Sequence, residues 1–458
     1  MDLASRRVVV LGLGMTGLSV VRWAHTHGAC VTVADTRDEP PRARELRAEL
    51  PGVAVATGPF TDKTLAHADL VVISPGLSKD LPAVRAAVAR GVELVGDIEL
   101  FARAVPAEST LIAVTGSNGK STVTALATEL LRSAGLAARS VGNIGEPVLD
   151  ALAACQRRGE RPDAFVIELS SFQLETTTSL KPLAATVLNV TENHLDRYAS
   201  LADYAAAKAR IFSGGGAQVL NRDDAASLAM RIATRSVQTF GAGAPQGEHE
   251  WGLLQRRGEP WLARGESLLL PAGAMQLVGR HNALNALAAL ALCSPRVELE
   301  RPLLDALSRF AGLPHRMERV AEVGGVLFVN DSKGTTVAAT RAALEGVGRA
   351  AVLIAGGDGK GQDFAPLQSA VEAHCRAVVV FGRDGPRIAT ALSGTRPSVE
   401  AASSLENAVA RAIVHARPGD AVLLSPACAS LDMFRDYAER GDRFKAAVAA
   451  YARESAHA

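Results

Sequence analysis

Charge of one sign is what this chain most plainly lacks. Across 458 residues, 49 Lys plus Arg stand against 48 Asp plus Glu, a formal net charge of +1. That balance excludes an extended basic footprint for nucleic acid or anionic lipid, so any polyanion has to be met by local sites. Cysteine is scarce too. Cys30, Cys155, Cys293, Cys375 and Cys428 are scattered singly, with neither metal-ligand spacing nor a tight disulfide framework, and read as reduced core or strand cysteines. No uninterrupted run of about 18 apolar residues occurs, which speaks against a membrane-spanning helix. Met1–Arg7 leads into an apolar strand without the long apolar stretch and cleavage site of a signal peptide. A cytoplasmic, monomeric protein without membrane or nucleic-acid partners is expected.

What is present is alternation. Short Val/Ile/Leu runs trade places with Ala-rich segments of helical period, the pattern of an α/β fold with parallel sheets and crossover helices. At roughly 150 residues per domain the chain holds about three. Strands are predicted at Arg7–Leu11, Ala29–Ala34, Leu70–Ile73 and Val92–Val95, then at Thr110–Thr115, Ala164–Glu168, Ala185–Asn189 and Ala217–Leu220. The Gly/Pro-rich stretch from Gly241 to Gly273 suggests hairpins or an insertion, and the alternation restarts at Val326–Asn330, Ala351–Ala355, Ala377–Phe381 and Ala421–Ser425. Boundaries near residues 106 and 313 divide the chain into 1–106, 107–313 and 314–458.

Two glycine loops carry the phosphate chemistry. Gly12, Gly14 and Gly17 in Gly-Leu-Gly-Met-Thr-Gly lie between a strand and a helix, and Asp35 closes the next strand, as in a dinucleotide-binding fingerprint. A tight turn without a ligand reads the same way, and so does the cofactor loop of a nicotinamide oxidoreductase. The second loop, Gly116-Ser117-Asn118-Gly119-Lys120-Ser121-Thr122, sits between the apolar Leu111–Val114 and a helix. Its glycines let backbone N–H groups turn onto phosphate oxygens, Lys120 supplies a point charge, and the hydroxyl of Ser121 or Thr122 can reach Mg²⁺. Glu168 ends an apolar strand, where a carboxylate can hold Mg²⁺ through oxygen, although a helix-capping acid would look alike. His194 follows a third strand end. Lys208, in a helical segment soon after, reads by position alone as a solvated surface lysine.

Taken together, these segments resemble the Mur ligase family, within it the branch that adds D-glutamate. The similarity runs along almost the whole chain, through Ser74-Pro75-Gly76, Thr115–Thr122, Gly142–Gly145, Glu168–Glu175, Asn189–Tyr198, Gly279–Asn282, Asn330–Gly334, Gly356–Asp363 and Leu424–Phe434. The resemblance implies Rossmann-like first and last domains around a central P-loop ATPase-like domain with a mostly parallel sheet. It reassigns the first glycine loop to the UDP end of UDP-N-acetylmuramoyl-L-alanine, contacted by Gly14, Met15, Thr16, Asp35, Thr36, Arg37, Gly76 and Asn143. ATP and Mg²⁺ fall to the middle domain, with Asn282, Asn285, Arg316 and Asp331 also on the nucleotide. D-glutamate falls to Lys333, Thr335, Lys360, Ser430 and Leu431. Lys120, Glu168, His194 and Lys208 would be catalytic, and Ser121, Glu168, His194 and Lys208 would surround the metal, the lysine as a CO₂-derived carbamate. Asn193 stands where the family usually has Asp, and Thr336 where Asn is common.

Overall fold

The computed structural model describes residues 2–191, 197–277 and 279–457; Asn193 and His194 lie outside them. The chain forms two compact units, Met1–Arg256 with Trp261–Leu269 and Asn285–Leu307, and Arg257–Pro260 with Leu270–Leu284 and Ser308–Ala458. Each unit is built on mostly parallel sheet with helical crossovers.

The first sheet comprises β1 (Arg7–Leu11), β2 (Cys30–Asp35), β3 (Ala54–Thr57), β4 (Leu70–Ile73) and β5 (Glu93–Val95), in the order β3-β2-β1-β4-β5. All four pairings are parallel. Central β4 is buried along its length, as its Leu-Val-Val-Ile run requires once helices cover both faces. The chain walks outward from β1 to β3 and then resumes on the other side at β4. Loops leaving β1 and β4 therefore diverge and open a crevice at their C-terminal ends.

Nine strands make the second sheet: β6 (Thr110–Thr115), β7 (Ala138–Gly142), β8 (Ala164–Glu168), β9 (Ala184–Val187), β10 (Ala217–Asn221), β11 (Val237–Phe240), β12 (Glu250–Arg256), β13 (Glu259–Arg264) and β14 (Ser267–Pro271). Their order is β14-β13-β12-β11-β10-β9-β6-β8-β7. The Gly/Pro-rich stretch forms hairpins, as expected: β12, β13 and β14 are neighbours joined by two-residue turns at Arg257-Gly258 and Gly265-Glu266, and they extend this sheet. β6 lies between β9 and β8, all parallel, with Val114 beside Glu168 and Thr115 beside Val187. That register delivers the glycine loop, Glu168 and the segment after β9 to one edge.

In the second unit the sheet runs β15-β16-β20-β17-β18-β19, formed by β15 (Glu318–Val323), β16 (Val326–Asn330), β17 (Ala351–Gly356), β18 (Cys375–Phe381), β19 (Ser398–Ala401) and β20 (Ala421–Leu424). Only β15 against β16 is antiparallel. Helix Tyr437–His457 closes the chain.

Within the first unit, the helix Asp97–Ala104 ties the first sheet to the second. The Glu99 carboxylate, 1% exposed, accepts from the backbone N–H groups of Thr178 (2.6 Å) and Ser179 (2.8 Å), from both their hydroxyls and from Arg103 Nε. Burial works against its charge, yet these donors hold its pKa down to about 2. Next to it Asp97 is buried and accepts from Gln173 Nε2, and burial pushes its pKa up to about 6. Among the described residues no helix is long and apolar enough to cross a membrane, and all five cysteines are free thiols.

Candidate functional site

The glycine loop after β6 is shaped by two left-handed positions. Gly116 (φ 157°) and Gly119 (φ 82°) turn the chain into helix Lys120–Ser133, a conformation that L side chains resist. A Cβ on Gly119 would also stand 2.6 Å from Asn285 Oδ1, so the loop and the predicted nucleotide asparagine are in contact. Lys120 Nζ donates to the carbonyls of Gly116 (2.9 Å) and Ser117 (3.0 Å). Lys208 Nζ donates to the same Gly116 carbonyl at 3.0 Å and lies 4.3 Å from the Tyr204 ring centroid. At 1% exposure it is no surface lysine. Burial, reinforced by the like charge of Lys120, pulls its pKa down to about 6, so at neutral pH it is mostly the free amine.

Carboxylate chemistry enters from β8. Glu168 is 1% exposed; its Oε1 accepts from Asn143 Nδ2 at 2.8 Å, while Oε2 is buried without a hydrogen-bond partner among the described residues. The helix-capping alternative does not hold, because the following short helix is capped by Ser170 and Gln173. An orphaned buried carboxylate oxygen beside a phosphate loop fits a divalent cation, which would satisfy it. Ser121, 2% exposed, is the second residue of the adjacent helix. His194 lies outside the described residues, and among those described no cluster of metal-ligating side chains is complete by itself.

Asn189 was not among the predicted site residues. Its Oδ1 accepts from Asn118 N at 2.8 Å and its carbonyl from Ser117 N at 2.9 Å, and Ser117 Oγ donates to the Thr191 carbonyl at 3.2 Å. The signal was its position at the third strand end.

In the first sheet, Gly17 packs so tightly that a Cβ would run into the Gly12 carbonyl. Gly14 precedes helix Met15–Thr26, and Met15 is 58% exposed at its start, with Thr16 half-buried beside it. Asp35 is 2% exposed; it accepts from Leu13 N (2.7 Å) and from Arg37 Nη2 (2.7 Å) and Nε (2.8 Å). The Arg37 guanidinium above all, then the Leu13 N–H, holds its carboxyl down at about 2 against the effect of burial. Both Asp35 oxygens are thereby engaged, unlike the ribose-binding acid of a dinucleotide site. Thr36 and Gly76 are exposed at the same edge, where Ser74 Oγ bonds the Gly12 carbonyl at 3.0 Å. Arg37→Ala is expected to raise KM for a UDP-linked substrate by about tenfold, the cost of one charge-assisted hydrogen bond, while leaving KM for ATP unchanged. Steady-state kinetics with each substrate varied checks this, and a defect directed at ATP would place Arg37 elsewhere.

The third sheet gathers the remaining candidates at its own C-terminal edge. Asp331, just past β16, accepts from Ser425 Oγ (2.7 Å) and Met317 N (3.2 Å), fixing the loop that carries Arg316. Ser425, just past β20, is a second residue sequence reasoning missed. Lys333 Nζ sits 5.0 Å from the Tyr437 ring centroid; Thr335 is half-buried; Lys360 is exposed with φ 49°; Ser430 is 3% and Leu431 65% exposed. Thr336 caps helix Val337–Gly346 through Ala339 N. Asn282 is buried at the start of helix Arg280–Cys293. His315, Met317, Lys360 and Ala427 all adopt positive φ along this edge, strain of about 1–3 kcal/mol each that a scaffold tolerates mainly at working sites.

Burial pushes the Asp331 carboxyl up to about 7. A carboxyl with a raised folded pKa contributes stability that is complete below its unfolded pKa, about 4, and is lost as pH rises through about 7. Thermal melts of Asp331→Asn and the parent at pH 5 and pH 8 should therefore show the variant gaining on the parent as pH rises. A difference between the two that ignores pH would refute the buried-carboxyl account.

Three family models match the chain in sequence order: the MurD-like N-terminal domain of Mur ligases over residues 6–96, the Mur ligase middle domain over 114–293 and the Mur ligase glutamate ligase domain over 315–428. A UDP-N-acetylmuramoylalanine-D-glutamate ligase of Methylobacillus flagellatus is 52% identical over 448 residues, 98% of either chain. A ligase of the same name from Thiobacillus denitrificans is 52% identical over 98% of this chain and 97% of its own. Among solved structures, the UDP-N-acetylmuramate-alanine ligase of Thermotoga maritima shares the fold at TM-score 0.59 and 21% identity, over 97% of this chain and 100% of that one. With three consecutive domains matched and full-length relatives half identical, this chain belongs to the Mur ligase family.

Proposed function

We propose that the chain joins D-glutamate to UDP-N-acetylmuramoyl-L-alanine at the expense of ATP, a step of peptidoglycan synthesis in the cytoplasm. The observation that carries this reading is the convergence of Lys120, Lys208 and the segment Asn189–Thr191 on the Gly116–Ser117 turn, with the orphaned oxygen of Glu168 on the neighbouring strand. Residues 1–106 hold the UDP-linked substrate, 107–313 ATP and Mg²⁺, and 314–458 the amino acid, in a monomer.

A carboxylate does not acylate an amine at neutral pH, so the substrate's carboxylate first takes the γ-phosphoryl group and becomes an acyl phosphate. The backbone N–H groups of Gly116–Gly119 cradle the phosphates, and Lys120, swung from its own loop carbonyls, neutralises charge that develops in transfer. The D-glutamate amine then attacks the acyl carbon, and phosphate leaves. Glu168, Ser121, His194 and Lys208 would hold Mg²⁺, which when bound would supply charge neutralisation for the phosphoryl transfer. For Lys208 that requires a change of sign. Its neutral amine attacks CO₂, an N–C bond forms, the displaced proton goes to solvent, and the product is a carbamate anion. Asn282, Asn285, Arg316 and Asp331 contact the nucleotide. Lys333, Thr335, Lys360, Ser430 and Leu431 receive D-glutamate, two lysines answering two carboxylates.

Phosphate release with UDP-N-acetylmuramoyl-L-alanine and ATP, measured across D- and L-amino acids, tests the reading directly. D-glutamate should stand out, and release led by another amino acid or requiring none would overturn it.

A further inference from the structure

Arg440 is a charged side chain that the reaction as derived above does not use, and it is 0% exposed within helix Tyr437–His457. Its Nε donates to Ser332 Oγ at 3.0 Å, Nη2 to the Ser332 carbonyl at 2.7 Å, and Nη1 to the carbonyls of Cys428 at 3.1 Å and Gly356 at 3.5 Å. Those acceptors belong to three different turns. Ser332 follows β16, Gly356 ends β17 and Cys428 follows β20, three strands that are adjacent in the sheet in the order β16-β20-β17.

Each turn carries a residue assigned to the amino acid. Lys333 is the next residue after Ser332, Ser430 lies two beyond Cys428, and Lys360 is in the turn that leaves Gly356. The last two turns are also paired with each other, Asp358 N to Ala429 O and Ala429 N to Asp358 O, both at 2.9 Å. Ser332 Oγ donates onward to the Tyr437 carbonyl at 2.7 Å, fastening the first turn to the helix that bears Arg440. Gly357 allows the last two turns to approach, since a Cβ there would run into the Ala429 carbonyl oxygen.

Among the described residues no carboxylate lies within ion-pair distance of Arg440; Asp331 and Asp432 act on it only at longer range. Burial lowers its pKa to about 10, which leaves it charged at neutral pH. Keeping a cation in the interior without a counter-ion is costly, and a well-packed apolar side chain would serve stability as well or better. What an apolar side chain cannot do is hold three strand-end carbonyls at fixed separations with one rigid fork of N–H groups, or leave a positive charge beneath the place where a dianion binds.

We propose that Arg440 is a positioning residue for the incoming amino acid, setting the spacing of Lys333, Lys360 and Ser430 from below and adding attraction for a dicarboxylate. The proposal rests on the assignment of the third domain to the amino acid. It is tested on the full chain by steady-state kinetics of Arg440→Lys, Arg440→Met and Ser332→Ala, each substrate varied in turn. The expected result is an amino-acid KM raised by about tenfold or more in Arg440→Met and less in Arg440→Lys, with KM for ATP and for the UDP-linked substrate within about twofold of the parent. Ser332→Ala should show a smaller rise, and combining it with Arg440→Lys in a double variant should raise the amino-acid KM by less than the product of the two single effects. The parent's own amino-acid preference decides the underlying reading separately: a parent that prefers another amino acid refutes D-glutamate, and the variants are then read with that amino acid. Unchanged amino-acid KM, or equal defects toward all three substrates, would overturn the positioning role. Should Arg440→Met not fold, the decision falls on Arg440→Lys and Ser332→Ala.

Discussion

Replacing Lys120 by alanine should abolish ligation, with a loss in turnover of at least about a hundredfold, the scale seen when a single group that stabilises transition-state charge is removed. Lys120 is the first residue of helix Lys120–Ser133, and its ammonium donates to the Gly116 and Ser117 carbonyls of its own loop. Neither is a core contact, so the folded state should survive with a thermal midpoint close to the parent's. The same substitution should raise the proton affinity of Lys208, because the charge of Lys120 is the second cause of its depression. Turnover near the parent value in a folded Lys120→Ala protein would remove the phosphate-loop assignment altogether.

Lys208→Ala is expected to cost about thirtyfold or more, the equivalent of roughly 2 kcal/mol for a lost charged ligand. Acetate should restore part of that by placing a carboxylate where the carbamate stood, whereas Lys208→Arg should stay inactive because it presents a cation to the metal. The buried amine, neutral at pH 7 and protonated as pH falls through about 6, gives the account its pH signature. Activity should drop below that pH and recover with added bicarbonate. Isotopically labelled CO₂ should give a carbamate resonance in the parent that both variants lack. Full activity in Lys208→Ala and Lys208→Arg alike would end the carbamate proposal.

Central strands were legible in the sequence because burial on both faces demands an unbroken apolar run. Val326–Asn330 and Thr110–Thr115 were read to the residue. The strands missed include β3, β7, β15 and β19, all at sheet edges and, at β3, β15 and β19, exposed or half-buried throughout. An edge strand with one wet side has no need of a continuous apolar signal. The site shows the same division. Glycines and charged residues announce themselves by type and spacing, so the phosphate loop and Glu168 could be named from residues alone. The burial of Lys208 could not, because the surrounding Tyr-Ala-Ala-Ala-Lys-Ala-Arg reads as an ordinary helix surface until the loop after β6 is laid against it. Asn189 and Arg440 act on backbone groups, and Ser425 on the Asp331 carboxylate, brought together only by strand order, which no local pattern encodes.

Glu99 bears on more than the geometry of its own turn. Five donors, four of them from Thr178 and Ser179 in the second part of this unit and one from Arg103, meet on one buried carboxylate. The first hundred residues are therefore not a detachable adaptor clipped to an autonomous ATPase. A fragment starting after the Val105–Glu108 linker would leave the backbone amides of Thr178 and Ser179, ten and eleven residues on from Glu168, without the carboxylate that now receives them.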